Sequence, residues 1–112
     1  MSVVHRLTAI FAFVATLFAS SAYAAEWSTS QLVTGVQVTA SSGGSATFYV
    51  LSSGWGSASC PTAQWAYIDS SATGASEILA LAMQAKQQGK YVQIYGTCSS
   101  GYFIITALYV LS

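Results

Sequence analysis

Few side chains in this sequence could do chemistry. Among its 112 residues are one histidine (His5), three acids (Glu26, Asp69 and Glu77), three bases (Arg6, Lys86 and Lys90) and two cysteines (Cys60 and Cys98). Side-chain catalysis needs a proton acceptor tuned near neutral pH, an activated nucleophile or a metal ion. His5 lies in an N-terminal stretch expected to be removed, and without it neither a Ser-His-Asp arrangement nor a His-ligated zinc site can be assembled. Two cysteines alone do not close a zinc site. The three carboxylates could in principle pair for glycoside hydrolysis. Each has a plainer reading: Glu26 at the mature start, Asp69 at a strand end or helix entry, and Glu77 in the first turn of a helix, where the dipole favours an acid. The expectation is a protein with no catalytic residues, no cofactor and no metal.

Binding has more to work with. Trp27, Trp55, Trp65 and six tyrosines beyond the leader stand among many Ser and Thr hydroxyls. Such side chains offer flat apolar faces with polar edges, which suit sugar rings, a β core or a protein interface. Trp55, in a Gly/Ser-rich stretch, is the best candidate for an exposed ring. Trp65 and Tyr67 alternate along a strand, and at least one is expected in the core. Tyr91, Gln93 and Tyr95 share one strand face; if Val92 and Ile94 point inward, that face is an outward stripe, either solvated, subunit-facing or a ligand platform. Nucleic acid is not an expected partner, because it requires a cluster of Lys and Arg to displace counterions.

The elements that must position these residues follow from pattern. A basic start at His5-Arg6, an apolar run over Leu7 to Phe18 and the small-x-small trio Ala22-Tyr23-Ala24 form a signal peptide over residues 1–24. The run is too short to span a bilayer, so no stable membrane anchor is expected. The chain is expected in the periplasm or the medium, with residues 25–112 as a single domain. In that oxidising compartment Cys60 and Cys98 are expected to be joined.

Leu32 to Ala40 alternates as a strand and turns at Ser41 to Gly44; Ala46 to Leu51 returns. Ser52 to Thr62 is a loop, and Gln64 to Asp69 a third strand. Ser70 to Gly74 offers capping residue types for a helix whose apolar positions are Ile78, Leu79, Ala82, Met83 and Ala85, ended by Gly89. Lys90 to Tyr95 is the next strand, Gly96 to Gly101 a turn, and Tyr102 to Leu111 a final strand. Strict alternation puts Tyr102, Ile104, Leu108 and Val110 on one of its faces and Phe103, Ile105, Ala107, Tyr109 and Leu111 on the other. A second apolar face of this kind is covered either by the helix or by a neighbouring subunit in a homo-oligomer. The resulting class is mostly β (α+β), in the order β-β-β-α-β-β. That is the element order of an OB-fold, a five-stranded Greek-key barrel, here with one disulfide.

The start Ala25-Glu26-Trp27, the strand Thr34-Gly35-Val36-Gln37-Val38-Thr39 and the helix leading into Gly89-Lys90-Tyr91-Val92-Gln93-Ile94-Tyr95 resemble the B subunits of subtilase-type and pertussis-like AB5 toxins. The chain is also similar to a set of short exported bacterial proteins of unassigned function. The toxin resemblance implies an OB-fold, a ring of five subunits and recognition of host glycans. It places the family's sugar-contacting serine on Thr34. A second tyrosine after Ile-Tyr is replaced by Gly96, and the family's disulfide closes before the helix, whereas Cys98 lies beyond it. Two readings therefore stand: a glycan-binding subunit using Thr34, Trp55 and Tyr95, or an interaction or structural module that binds a protein through its last strand and tyrosine stripe.

Overall fold

The computed structural model describes residues 24–112. The leader expected over residues 1–24 lies, but for Ala24, outside the described residues. The described elements are β1 (Glu26–Trp27), β2 (Gln31–Leu32), β3 (Gly35–Ala40), β4 (Ala46–Leu51), β5 (Trp65–Asp69), α1 (Ala75–Gln88), β6 (Tyr91–Ser99) and β7 (Tyr102–Val110). The fold of the described residues is mostly β with one helix. Its seven strands form one sheet in the order β1-β6-β7-β5-β4-β3, with β2 also on β6.

The expected count was five strands. The two extra ones, β1 and β2, are two residues each, too short to show alternation in a sequence. They form because the nine-residue β6 offers an edge for Trp27 to pair with Tyr95 and for Leu32 to pair with Tyr91. The strand expected from Leu32 is broken at Val33-Thr34, where the Thr34 N–H turns to the Leu51 carbonyl at 2.8 Å. From Gly35 the chain pairs with β4 instead. One short segment, 26–40, thus serves both ends of the sheet.

All strand pairs are antiparallel except β5 with β7. β4 occupies the expected residues. β6 does not end at Tyr95 but continues through Gly96 to Ser99, and the turn shrinks to Ser100-Gly101, both at positive φ. Gly96 is a point of close approach rather than a turn residue: a Cβ there would sit 1.8 Å from the Ile104 carbonyl oxygen. The register slips at the same place, with Tyr95 opposite Ala107 and Gly96 opposite Ile105, which leaves Thr106 as the extra residue of a bulge. Strict alternation therefore fails along β7. Phe103 and Ile105 point inward before the bulge, and Leu108 and Val110 pack on the core after it.

The helix also departs from expectation at its start. Gly74, in the left-handed region, precedes it and no side chain caps it. The expected caps are engaged elsewhere: the Ser70 hydroxyl accepts the Ala46 N–H at 2.7 Å, and the Ser71 hydroxyl donates to the Asp69 carboxylate. Gly89 ends the helix as expected, in the left-handed region, while the Lys90 N–H reaches back to the Ala85 carbonyl at 3.0 Å. Ala75, Ala82 and Ala85 are buried and Ile78 packs on the core, but Met83 faces solvent. Small alanines bring the helix close to the sheet, and Met83 lies outside that narrow stripe.

Trp55, Phe103, Ile94, Val50 and Val92 form the fully buried centre. Cys60 and Cys98 are joined, with Cα atoms 5.7 Å apart, and pin the 52–64 loop to the end of β6. Among the described residues no helix is long and apolar enough to cross a membrane.

Candidate functional site

Thr34, Trp55 and Tyr95 are not brought together. Trp55 is fully buried, which corrects its expected exposure. Its backbone N–H bonds the Ala63 carbonyl at 2.7 Å and its indole N–H the Val50 carbonyl at 3.3 Å, so the Gly/Ser loop folds this ring inward as its own core. Thr34 is exposed at the break before β3. Tyr95 lies on β6, beyond Tyr91 as seen from Thr34, and Tyr91 and Tyr95 are four strand residues or roughly 13 Å apart.

The tyrosine stripe, by contrast, is assembled. Val92, Ile94, Gly96 and Cys98 point inward from β6, so Tyr91, Gln93 and Tyr95 point outward. Register adds neighbours on both sides: Trp27 opposite Tyr95, Leu32 opposite Tyr91, Tyr109 opposite Gln93 and Ala107 opposite Tyr95. The Trp27 and Tyr95 rings lie 5.1 Å apart, tilted by 52°. Trp27, Tyr91 and Tyr109 are each more than half exposed. The Gln93 amide at the centre is steadied by donating to the Ser28 carbonyl at 3.3 Å. At the foot of this face an open cleft of about 430 Å³ is lined by Ser30, Gly89, Lys90, Tyr91, Leu111 and Ser112.

A second aromatic group stands on the outward face of β4, β5 and β7. Neither Trp65 nor Tyr67 is a core residue, contrary to expectation, because the inward positions of β5 are held by Ala66 and Ile68. Tyr49 lies 5.3 Å from Trp65 and 6.1 Å from Tyr67, and Tyr67 6.0 Å from Tyr102. Their planes cross at 88°, 47° and 80°, so the rings shield one another and stay half-buried, apart from the more exposed Tyr102.

Two carboxylates are held in their charged form by neighbouring hydrogen-bond donors. The Ser59 hydroxyl and the Ser59 and Ala58 backbone hold the Glu26 carboxyl below its usual range; the Ser71 and Ser45 hydroxyls and nearby amides do the same for Asp69. Among the described residues no three His, Cys, Asp or Glu side chains gather as a metal site. What the β6 face can offer is stacking, apolar contact and hydrogen bonds from phenols and one amide. Trp27, Leu32 and Tyr109 were not singled out as site residues in the sequence; the outward stripe at 91, 93 and 95 was its one legible sign. No family model, curated protein or solved structure matches the chain.

Proposed function

We propose that this is an exported, non-catalytic binding protein that holds a protein partner on the outward face of β6. The observation that carries this reading is the convergence of Trp27, Tyr91, Tyr95, Tyr109 and Leu32, from four strands, into one uncharged and exposed face around Gln93. Large aromatic side chains supply most of the energy at protein interfaces, and solvent-exposed apolar patches of this kind mark binding surfaces. Export is supported by the leader pattern and by the Cys60–Cys98 bond, which persists in oxidising compartments.

An OB-fold is supported by the parallel β5–β7 pair and by the order of the five longer strands around the helix. That fold favours a second reading, a glycan, for a specific reason: its usual ligand surface is the face of the second and third strands. Here those are β4 and β5, which carry Tyr49, Trp65 and Tyr67.

Affinity capture from periplasm and culture medium, followed by titration of the recovered partner, tests the first reading. Replacing Tyr91 and Tyr109 together by alanine is expected to weaken that partner by about 30-fold or more, while Trp65→Ala leaves it unchanged. The reverse pattern, with hits on a glycan array lost in Trp65→Ala, would establish the glycan reading instead.

A further inference from the structure

We propose that the free edge of β3 pairs antiparallel with β3 of a second copy of this chain, about a two-fold axis, so that two sheets become one. β3 ends the strand order, and among the described residues its pairing partner is β4 alone. Gln37, Val38, Thr39 and Ala40 are all exposed, on both faces of the strand. Val38 stands opposite Phe48, on the inward side, yet is 55% exposed. An edge strand presents a row of unpaired backbone donors and acceptors. Proteins normally guard such a row with Lys, Pro, a bulge or an interruption. β3 has none of these: six residues, Gly-Val-Gln-Val-Thr-Ala, in unbroken register with β4.

The occupant follows from charge and symmetry. No charged side chain occurs between Glu26 and Asp69, so this part of one copy meets the same part of another without like-charge repulsion. A foreign strand would find no ionic handle here to prefer it. Antiparallel pairing about a two-fold centred on Val38 sets the two Val38 side chains together and places Gln37 of each copy opposite Thr39 of the other. That amide and hydroxyl already bond within one strand, Gln37 Nε2 donating to Thr39 Oγ1 at 3.0 Å, and the same groups can exchange across the axis. Six residues span about 20 Å, an interface at the small end of the specific range, so the dimer is a concentration-dependent one.

Sedimentation of the purified protein from micromolar to millimolar concentration should show the molar mass rising toward twice that of the monomer. Val38→Lys should remain monomeric throughout with an unchanged circular-dichroism spectrum. The Tyr91→Ala, Tyr109→Ala double variant should associate as the unmodified chain does. Hydrogen exchange on unmodified protein supplies a check that needs no variant: alternate amides within 35–40 should slow as concentration rises. A monomer at every concentration, undiminished association of Val38→Lys, or loss of association in the double tyrosine variant would each overturn the proposal.

Discussion

The two ends of the sheet are treated differently. On β6 the exposed edge is covered in fragments: β1 and β2 pair with it, and Ser28 fills the gap between them. The Ser28 N–H donates to the Ile94 carbonyl at 2.7 Å, and its hydroxyl accepts the Ile94 N–H at 2.9 Å. A side chain thus completes a backbone ladder where no strand reaches. Glu26 ties the same segment to the disulfide-bearing loop by accepting the Ser59 N–H at 3.2 Å. On β3, nothing comparable occurs among the described residues. An edge that the fold must keep closed carries short paired segments and a side-chain cap, whereas an edge with neither is available to another strand. Substitutions at the two ends should therefore differ in cost, and that difference can be measured.

The largest contrast is between two glycines. Gly96→Ala drives a methyl group into the Ile104 backbone of β7, with no flexible side chain to give way. A loss above about 4 kcal/mol is expected, so the variant should show no cooperative urea transition. Gly35→Ala on β3 meets only the Leu51 side chain, at 3.8 Å. There the unfolded chain loses freedom without a clash, and stability should hold or rise by up to about 1 kcal/mol.

Next comes the disulfide. Its cysteines are separated by 38 residues, and closing such a loop contributes about 4 kcal/mol in the chain-entropy model. Replacing both cysteines by alanine should lower the urea midpoint accordingly and loosen Trp55, seen as a red shift of its fluorescence. Amides of β6 near Cys98 should lose more protection than those of the exposed β3 edge.

A third contrast sets one hydroxyl against another. Ser28→Ala leaves the buried Ile94 N–H without its acceptor and should cost about 1–3 kcal/mol. Thr39→Ala on the exposed β3 should change stability by no more than about 0.5 kcal/mol. Equal costs at the two positions would remove the distinction between the edges.

How far these features could be read in the sequence depends on the range of the interactions behind them. Ala46–Leu51 and the Gly89 helix end were legible because alternation and a left-handed glycine are local signals. The Tyr91, Gln93, Tyr95 stripe was legible for the same reason, since it needs only the period of one strand. β1 and β2 were not, because two residues carry no period and exist only through β6. Nor was the face switch in β7, which depends on a bulge opposite Gly96; the glycine looked like a turn because its true constraint, the Ile104 backbone, lies on another strand. Trp55 was misplaced because a loop composition says nothing of which ring the loop folds over.

The smallest expected effect is electrostatic. Hydrogen bonds from Ser59 favour the charged form of Glu26, so its folded pKa lies below the ordinary value of 4.5. A group lowered in this way contributes stability above its unfolded pKa and loses it as pH falls through the folded value. Asp69, lowered from 3.8 chiefly by the Ser71 hydroxyl, follows the same sign at lower pH. The thermal midpoint should therefore be flat from neutral pH down to about 5 and decline below 4.5. Glu26→Gln keeps the size of the side chain but cannot ionise, and should flatten the first part of that decline while leaving the later, Asp69-dependent part. Because Glu26 belongs to the covered edge, the protection of Tyr95 and Gly96 amides, taken relative to the intrinsic exchange rate at each pH, should fall with acid in parallel, and protection within β3 should not. An equal acid-driven loss of protection in β3 would mean that the two edges are coupled, and the separation drawn between them would have to be given up.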